Sequence, residues 1–434
     1  MGLVWAAGPL AGILGQVIIG VISDRVWFWN GRRRPFILIG GVLAALMLLA
    51  LPNLDVISAS MGIGGILGVA IAVALIGVSV LEYLGMASID DAFPPYRQTS
   101  LIYVENILGG FLFGIGMTLA SGCGSKMLVR IGGGNLKSLV VVVVIALVAY
   151  YMANPFPGTD NTLYSMLFHD WIKPFAVELD GRQDIGTLVA GEKHSWIARL
   201  VGGLALVTLL LVLIFRDADF RKQKDHMTAG LVIGVAVVTV WLVTSSIRVE
   251  ADGEAYQLSS YVQNWEFLSD SDAHKPASSQ SLRPQSFTII SPIGQAFGYA
   301  KSGFDNALLT CGLMIMIGIV LGSFLHAVIK KGFRVEWFTS FRDVVRHLLG
   351  AMLMGVGGVL AMGCTFGQAI SGISTLSIGS FIAFSGIALG SVLTLKMQYY
   401  MIIYSGEASF TDSLIASLAD LGFIPKSFRK QHQV

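Results

Sequence analysis

Long apolar segments alternate with polar ones along most of this chain. A helix needs about 20 apolar residues to cross a bilayer. Segments that reach or approach this length lie at 3–22, 36–52, 62–84, 104–122, 137–152, 197–215, 227–246, 305–329, 344–362 and 374–398. The shorter ones are predicted to be half-helices. The pattern therefore predicts an all-α polytopic membrane protein with about nine or ten hydrophobic helices.

The composition supports this class. Of 434 residues, 54% are hydrophobic and 13% are charged, whereas soluble domains carry about 25% charged residues. The 51 glycines suit close helix packing and helix breaks in a bilayer. The net charge of +2 comes without a long basic run, so a nucleic-acid partner is not expected.

The polar segments predict how the chain is oriented. Segments 216–226 and 330–346 are rich in Lys and Arg, which is typical of cytoplasmic loops. The longer segments 153–196 and 247–304 are then predicted to be solvated loops on the outer side. The run Gly31-Arg32-Arg33-Arg34-Pro35 should also be cytoplasmic. Counting the predicted spans from that run places segment 216–226 on the outer side, so the two orientations disagree by one membrane crossing.

The chain contains an internal repeat. Residues 109–123, GGFLFGIGMTLASGC, and residues 350–364, GAMLMGVGGVLAMGC, are identical at eight of fifteen positions without gaps. The second copy comes five predicted spans after the first, an odd number, so the copies are predicted to run in opposite directions. Inverted repeats of this kind place the substrate of many secondary transporters near the midplane.

Each copy ends in Gly-Cys followed by a polar, Gly-rich stretch. The first continues as Ser121-Gly122-Cys123-Gly124-Ser125-Lys126, and the second as Gly363-Cys364-Thr365-Phe366-Gly367-Gln368. A helix break frees backbone amides, and irregular backbone at membrane depth must line a cavity or be buried in protein. Free N–H groups, thiols and hydroxyls in a cavity suit a small anion.

The segments SGCGSKMLVRIGGGNLKSLVV and GCTFGQAISGIS resemble the paired signatures of the YeeE/YedE family, and the resemblance covers roughly 70–400. It implies a bacterial inner-membrane permease for thiosulfate or a related small sulfur-containing anion, which passes cysteine thiols along a narrow path. Cys123 and Cys364 match the path-lining cysteines. A cytoplasmic sulfur-accepting protein is a candidate partner. We expect supporting roles for Ser121, Gly122, Gly124, Lys126, Asn135, Gly363, Thr365 and Gln368. The family's further cysteine, in an N-terminal Phe-Cys motif, has no counterpart, because no Cys precedes Cys123.

The N-terminal segment is similar to a different class of protein. Gly20-Val21-Ile22-Ser23-Asp24-Arg25 followed by Gly31-Arg32-Arg33-Arg34-Pro35 resembles the loop between the second and third helices of major facilitator transporters. We interpret the chain as a facilitator fragment fused to a YeeE/YedE-like body. The predicted division is a facilitator-like segment at 1–60, a first repeat at 61–152, an outer loop at 153–196, a helical pair at 197–246, an outer loop at 247–304, a second repeat at 305–400 and a tail at 401–434.

Other functions find less support in the sequence. A membrane thiol-redox or sulfur-transfer protein would use the same two cysteines, but needs a thiolate of low pKa and usually a resolving partner. A non-functional fusion is a further alternative. A sugar transporter of the facilitator type fails on helix number. Cys311 is interpreted as an apolar filler. Because no metal-ligand spacing or hydrolytic triad is evident, we predict no metal, no cofactor and no enzymatic activity.

Overall fold

The computed structural model describes residues 62–87, 89–90, 92–216, 218–222, 224–251, 254–257, 283–305, 308–403, 410–421 and 424–425. These residues are mainly helical. The helices are α1 (Gly62–Tyr83), α2 (Tyr103–Leu119), α3 (Gly124–Gly132), α4 (Leu136–Ala153), α5 (Ile185–Arg216, kinked at Gly191), α6 (Ala218–Lys222), α7 (Lys224–Ser245), α8 (Ile290–Lys301), α9 (Cys311–Ile329), α10 (Phe341–Leu360), α11 (Ile378–Ile403) and α12 (Phe410–Asp420). The strands are β1 (Ser100–Ile102), antiparallel to β2 (Ala176–Glu178), and β3 (Arg248–Ala251), antiparallel to β4 (Glu254–Gln257).

Among the described residues, eight helical segments are long and apolar enough to cross a membrane. They coincide with eight of the ten predicted spans, which confirms an all-α polytopic membrane fold. The other two predicted spans, 3–22 and 36–52, lie outside the described residues, as does the whole facilitator-like segment 1–60.

Polar residues at the helix starts fix where three of the spans begin. Asn135 Oδ1 accepts a hydrogen bond from the Ser138 N–H at 2.9 Å, and Thr310 Oγ1 accepts one from the Leu313 N–H at 3.1 Å. Ser340 Oγ accepts from the Asp343 N–H at 3.2 Å. Such N-caps satisfy backbone donors that have no partner inside the helix, so each helix starts at its capping residue.

The two repeats have the same architecture. In the first, α2 ends at a break, the half-helix α3 follows, and α4 returns across the membrane. In the second, α10 ends at a break, a stretch of α-, π- and 3₁₀-helical turns follows to Thr375, and α11 returns. We call residues 365–375 the second half-helix. Helices pair across the two repeats. Helix α2 of the first repeat packs on α11 of the second, and its equivalent α10 packs on α4 of the first.

Helices α2 and α10 cross in opposite directions. A Cβ atom on Gly109 would lie 2.4 Å from the Ala361 nitrogen, and one on the repeat-equivalent Gly350 would lie 2.8 Å from the Ala120 nitrogen. The start of each helix therefore meets the end of the other. This arrangement confirms the inverted repeat, and it explains why glycine recurs in both copies, because larger residues would separate the two backbones.

The structure corrects the prediction that 247–304 is a solvated outer loop. Residues 284–290 are buried, and α8 packs against α4. Most of the Ser, Asp and Gln residues that suggested solvation, around Ser269 to Gln285, lie outside the described residues. Gln285 itself is buried, and its carbonyl accepts from Thr244 Oγ1 at 2.8 Å. The segments 153–196 and 401–434 also contain regular structure, because α5 begins at Ile185 and α12 packs against α11.

The helix directions place residues 218–222 and 330–340 at one end of the molecule, which we call the basic end. A buried ionic cluster lies at the opposite end, which we call the distal end. There Arg97 bonds to Glu82 and Asp90, and its Nε donates to the Thr375 carbonyl at 3.0 Å. Burial lowers the pKa of Arg97, but these acids outweigh that effect and raise it overall. The cluster ties α1 to the end of the second half-helix.

Candidate functional site

Both repeat helices end in the same backbone turn. The Gly122 N–H donates to the Met117 carbonyl at 2.8 Å, and the equivalent Gly363 N–H donates to the Gly358 carbonyl at 2.8 Å. This six-to-one bond defines a Schellman motif, which requires a residue in the left-handed region. Ser121 (φ 65°) and Met362 (φ 52°) supply that conformation although neither is glycine. The left-handed residue of each turn stands two residues before the cysteine.

The two cysteines then start the half-helices. The Cys123 carbonyl accepts from the Met127 N–H at 3.0 Å, and the Cys364 carbonyl accepts from the Gln368 N–H at 2.9 Å. Each cysteine therefore stands at the N-terminus of a half-helix. The N-terminus of a helix carries unpaired N–H groups and partial positive charge, which favour an anion.

Cys123 lies at the N-cap of α3 and is partly buried. Its sulfur is 3.1 Å from Ser125 Oγ. The neighbouring Gly124 packs against the start of α8, since a Cβ there would meet Ile289 and Ile290 at 3.3 Å and 3.5 Å. The thiol therefore has a hydroxyl beside it, and the residue that follows packs against the apolar start of α8.

Cys364 is 1% exposed. The Gly367 N–H donates to its sulfur at 3.4 Å, and the N–H groups of Phe366 and Ile289 also point at the thiol. Thr365 Oγ1 lies 3.5 Å from Met117 Sδ of α2, which links the second break to the first repeat. Cys364 thus lies in a ring of backbone donors.

The two thiols adjoin the same core. Cys364 lies in the main hydrophobic core, and the partly buried Cys123 packs against it. The buried segment 284–290 runs beside both breaks. Ser371 Oγ donates to the Phe287 carbonyl at 2.9 Å, and the Tyr96 hydroxyl donates to the Gly367 carbonyl at 3.0 Å. These bonds fix the second half-helix against its neighbours.

Several buried polar atoms around the second half-helix have no hydrogen-bond partner among the described residues. They include Thr288 Oγ1, Gln368 Oε1 and Ser380 Oγ. Thr288 lies beside Gly367, and Ser380 lies beside Gly372. Buried polar groups are normally paired with protein or water. The two hydroxyls are therefore free to donate to a ligand or to water beside the second half-helix.

A cavity of about 730 Å³ opens at the distal end and extends to the second break. We call it the distal cavity. Its lining includes Met362, the left-handed residue of that break, together with Glu105 of α2 and Lys301 of α8. The Lys301 ammonium stands over the rings of Tyr150 and Tyr151 at 5.1 Å and 5.6 Å.

A second cavity of about 660 Å³ lies at the basic end and extends to the first break. We call it the basic cavity. Its lining includes Ser121, the repeat equivalent of Met362. The charged and titratable residues around it are Arg130, Lys137, His326, Lys330, Arg334, Glu336, Asp343 and His347. The two cavities thus reach the two breaks from opposite ends, and neither is lined by Cys123 or Cys364.

The structure brings most of the predicted site residues to the two breaks. Ser121, Gly122 and Gly124 surround Cys123, and the Lys126 side chain folds back over Gly122. Gly363 contacts Gln368, whose amide Nε2 donates to the Ala361 carbonyl. Asn135 is different: it caps α4 and bonds to Glu336 in the basic cavity, away from either thiol.

Sequence reasoning missed three parts of the site. Segment 284–290 was interpreted as loop because of its polar composition, and Tyr96 gave no signal. Glu105 did give one, since it is an acid inside the apolar span 104–122. Ionisable residues inside membrane spans are functional hypotheses by default.

Two inverted repeats with broken helices, each break reached by a cavity from one end, define a secondary-transporter class of membrane protein.

Comparison with known proteins identifies the family. Residues 60–393 match the family described as "Sulphur transport", and the chain belongs to this family. It is 25% identical over 298 residues to a thiosulfate transporter TsuA of Spirochaeta thermophila, covering 66% of this chain and 76% of the relative.

A second thiosulfate transporter TsuA, from Escherichia coli, is 22% identical over 323 residues, which is 70% of this chain and 74% of the relative. A short stretch has a separate similarity: 46 residues, 11% of this chain, are 52% identical to a general alpha-glucoside permease of Schizosaccharomyces pombe, covering 8% of that protein. The match to a sugar permease agrees with the resemblance of a short fragment to major facilitator transporters.

Proposed function

We propose that this protein is a permease that carries thiosulfate, or a related small sulfur-containing anion, across the bacterial inner membrane. The observation that carries the proposal is the symmetric placement of Cys123 and Cys364. Each starts a half-helix, and each follows by two residues along the chain a residue that lines a cavity, Ser121 or Met362. Thiosulfate is chosen as the anion because two similar proteins are named thiosulfate transporters.

The cost of desolvation explains why such a site is needed. Thiosulfate is a dianion, and even one charge costs several kcal/mol at the centre of a bilayer. Helix N-termini replace part of the lost water shell without bringing a full positive charge to the narrow region. The N–H groups around Cys364 and the hydroxyl beside Cys123 are donors of this kind.

A thiol suits the soft terminal sulfur of thiosulfate. It can contact that sulfur weakly as the anion passes, whereas a lysine or arginine at the same place would hold a dianion strongly and slow its release. Fixed cations are instead found in the basic cavity, where Arg130 Nη1 donates to the Ser121 carbonyl at 3.2 Å. By the positive-inside rule, this end faces the cytoplasm, so the cations attract the anion after it passes the cysteines.

Uptake into vesicles tests the proposal. The purified protein is reconstituted into liposomes, and entry of ³⁵S-labelled thiosulfate is followed with unlabelled thiosulfate, sulfite or sulfate as competitor. We expect saturable uptake that unlabelled thiosulfate competes best and that thiol alkylation reduces. Uptake no faster than in protein-free liposomes would contradict the proposed function.

A further inference from the structure

Glu105 is a buried carboxyl group on the approach to the second break. It lies in the first turn of α2, is 7% exposed, and lines the distal cavity together with Met362. The repeat places Arg346 at the equivalent position, because Glu105 plus the offset of 241 residues gives 346, and Arg346 is exposed at the basic end. An acid at this repeat position is therefore found only in the first repeat, at the distal cavity.

No ion pair to Glu105 occurs among the described residues. Lys301, the other charged residue that lines the distal cavity, stands over the rings of Tyr150 and Tyr151. Apolar side chains of the cluster around Met152 and Leu360 lie along the same part of α2. Burial without a basic partner disfavours the charged form of a carboxyl group.

The other charged and titratable groups on the elements around Glu105 are Tyr103, Tyr150, Tyr151, Tyr164, His169, Asp170, Lys173, Glu178 and Lys301. Tyr164 is close enough to interact electrostatically with Glu105, and burial, together with the charge of Glu105, raises the pKa of Tyr164. The titratable residues of α10 and α11 lie toward the basic end: Arg342, Asp343, Arg346, His347, Lys396, Tyr399 and Tyr400. Glu105 is thus the acid of the distal cavity in the described part of the chain.

An anion and a charged Glu105 compete for this cavity. A dianion that enters brings two negative charges into a region of low dielectric constant, where repulsion between like charges is strong. Protonation of Glu105 removes the repulsion and turns the carboxyl group into a hydrogen-bond donor. We propose that Glu105 is a proton-binding site coupled to anion binding, so that the distal cavity takes up the anion together with one proton.

This inference rests on the proposed function and adds a second ligand, the proton, to the same path. Coupling between two ligands is reciprocal. A proton that favours the anion is therefore itself bound more tightly when the anion is present. Anion affinity then falls as pH rises past the titration of Glu105, by up to about tenfold per pH unit for one coupled proton.

The test combines uptake kinetics with calorimetry of thiosulfate binding to the full-length protein in detergent. Uptake is measured from about pH 5 to about pH 8 for wild type, Glu105→Gln and Glu105→Asp, with Glu178→Gln as the control. Glu178 is an exposed acid at the end of β2. Titration in buffers of different ionisation enthalpy reports how many protons are taken up as thiosulfate binds.

We expect the wild-type KM to rise with pH, whereas E105Q keeps a low KM that does not change with pH. E105D and E178Q should retain the pH dependence, and proton uptake on binding should vanish only in E105Q. Two results would overturn the inference and leave the permease function intact. One is anion binding by wild type without proton uptake, and the other is a pH dependence of KM in E105Q equal to that of wild type. If E105Q does not fold, the inference is tested by the proton uptake of wild type on thiosulfate binding and by the pH dependence of KM in E105D. Failure of wild type to bind or transport thiosulfate at any pH would overturn both proposals.

Discussion

Gly116 and Gly350 face each other at the crossing of α2 and α10. A Cβ atom on Gly116 would lie 2.6 Å from the Gly350 carbonyl oxygen, and one on Gly350 would lie 2.7 Å from the Gly116 carbonyl oxygen. The repeat equivalents, Gly357 and Gly109, make the same approach at 2.6 Å. This backbone contact joins the two repeats and sets the distance between their breaks.

Gly116→Ala and Gly350→Ala should therefore destabilise the protein by about 1–3 kcal/mol each, because a backbone oxygen cannot move aside as a side chain can. The measurement is the unfolding temperature in detergent. Gly202→Ala on α5 is the matched control, since nothing lies within 4 Å of its Cβ position. It should be neutral or stabilising. Equal loss of stability in all three variants would contradict this account of the crossing.

The left-handed turn at Ser121 gives a second prediction. Ser121 is exposed and holds φ 65°, a conformation that costs a side-chain residue about 1–2 kcal/mol. Ser121→Gly should raise the free energy of unfolding by up to about 1 kcal/mol, since glycine relieves the strain but loses more entropy on folding. Ser121→Val should lower it, because a β-branched residue fits this region worst. If the valine variant is as stable as the glycine variant, the turn does not require this conformation.

The distal ionic cluster makes stability depend on pH. Arg199 Nε donates to Asp184 Oδ1 at 2.8 Å, and Asp184 is fully buried. Burial alone raises the pKa of Asp184, but the hydrogen bonds from Arg199 and Thr187 outweigh it, so the folded pKa lies below its ordinary 3.8. The pair therefore stabilises the fold above pH 3.8, and this stabilisation is lost as pH falls through the folded value.

Asp184→Asn should destabilise the protein at neutral pH by about 1–3 kcal/mol, because Arg199 loses its nearest acid and keeps only the longer contacts to Glu82 at 3.8 Å and Asp90 at 4.0 Å. The difference from wild type should shrink as the medium is acidified below pH 3.8. Asp170→Asn, at a residue whose side chain is 96% exposed, is the control and should change little. A difference between wild type and D184N that stays constant down to the acid limit would argue against this linkage.

The sequence predicts the transmembrane part of this fold well and the narrow central region poorly. Eight predicted spans are confirmed because each is a long apolar run, and the inverted repeat is confirmed because glycines that pack against a backbone leave a pattern at fixed spacing. Segment 284–290 was missed for the opposite reason. Its Ser, Thr and Gln residues resemble those of a solvated loop, although two of them bond to α7. Thr244 Oγ1 donates to the Gln285 carbonyl, and Ser286 Oγ donates to the Val237 carbonyl.

The candidate site was predictable in part. The Gly-Cys motifs identify Cys123 and Cys364, because each follows an apolar repeat ending in the same residues. The sequence cannot reveal that Asn135 is a helix cap paired with Glu336, since that contact joins residues about 200 positions apart. The same limit applies to Tyr96, whose bond to Gly367 connects distant parts of the chain.

The most direct test of the cysteine path is thiosulfate uptake into proteoliposomes by variants of the three cysteines, at matched protein content. Cys123→Ala and Cys364→Ala should each slow uptake at least about tenfold, which corresponds to about 1.4 kcal/mol in the transport barrier. The serine variants should be less impaired or should shift preference toward sulfate. Cys311→Ala, at the buried start of α9, should transport like wild type. Wild-type uptake by both C123A and C364A would contradict the account.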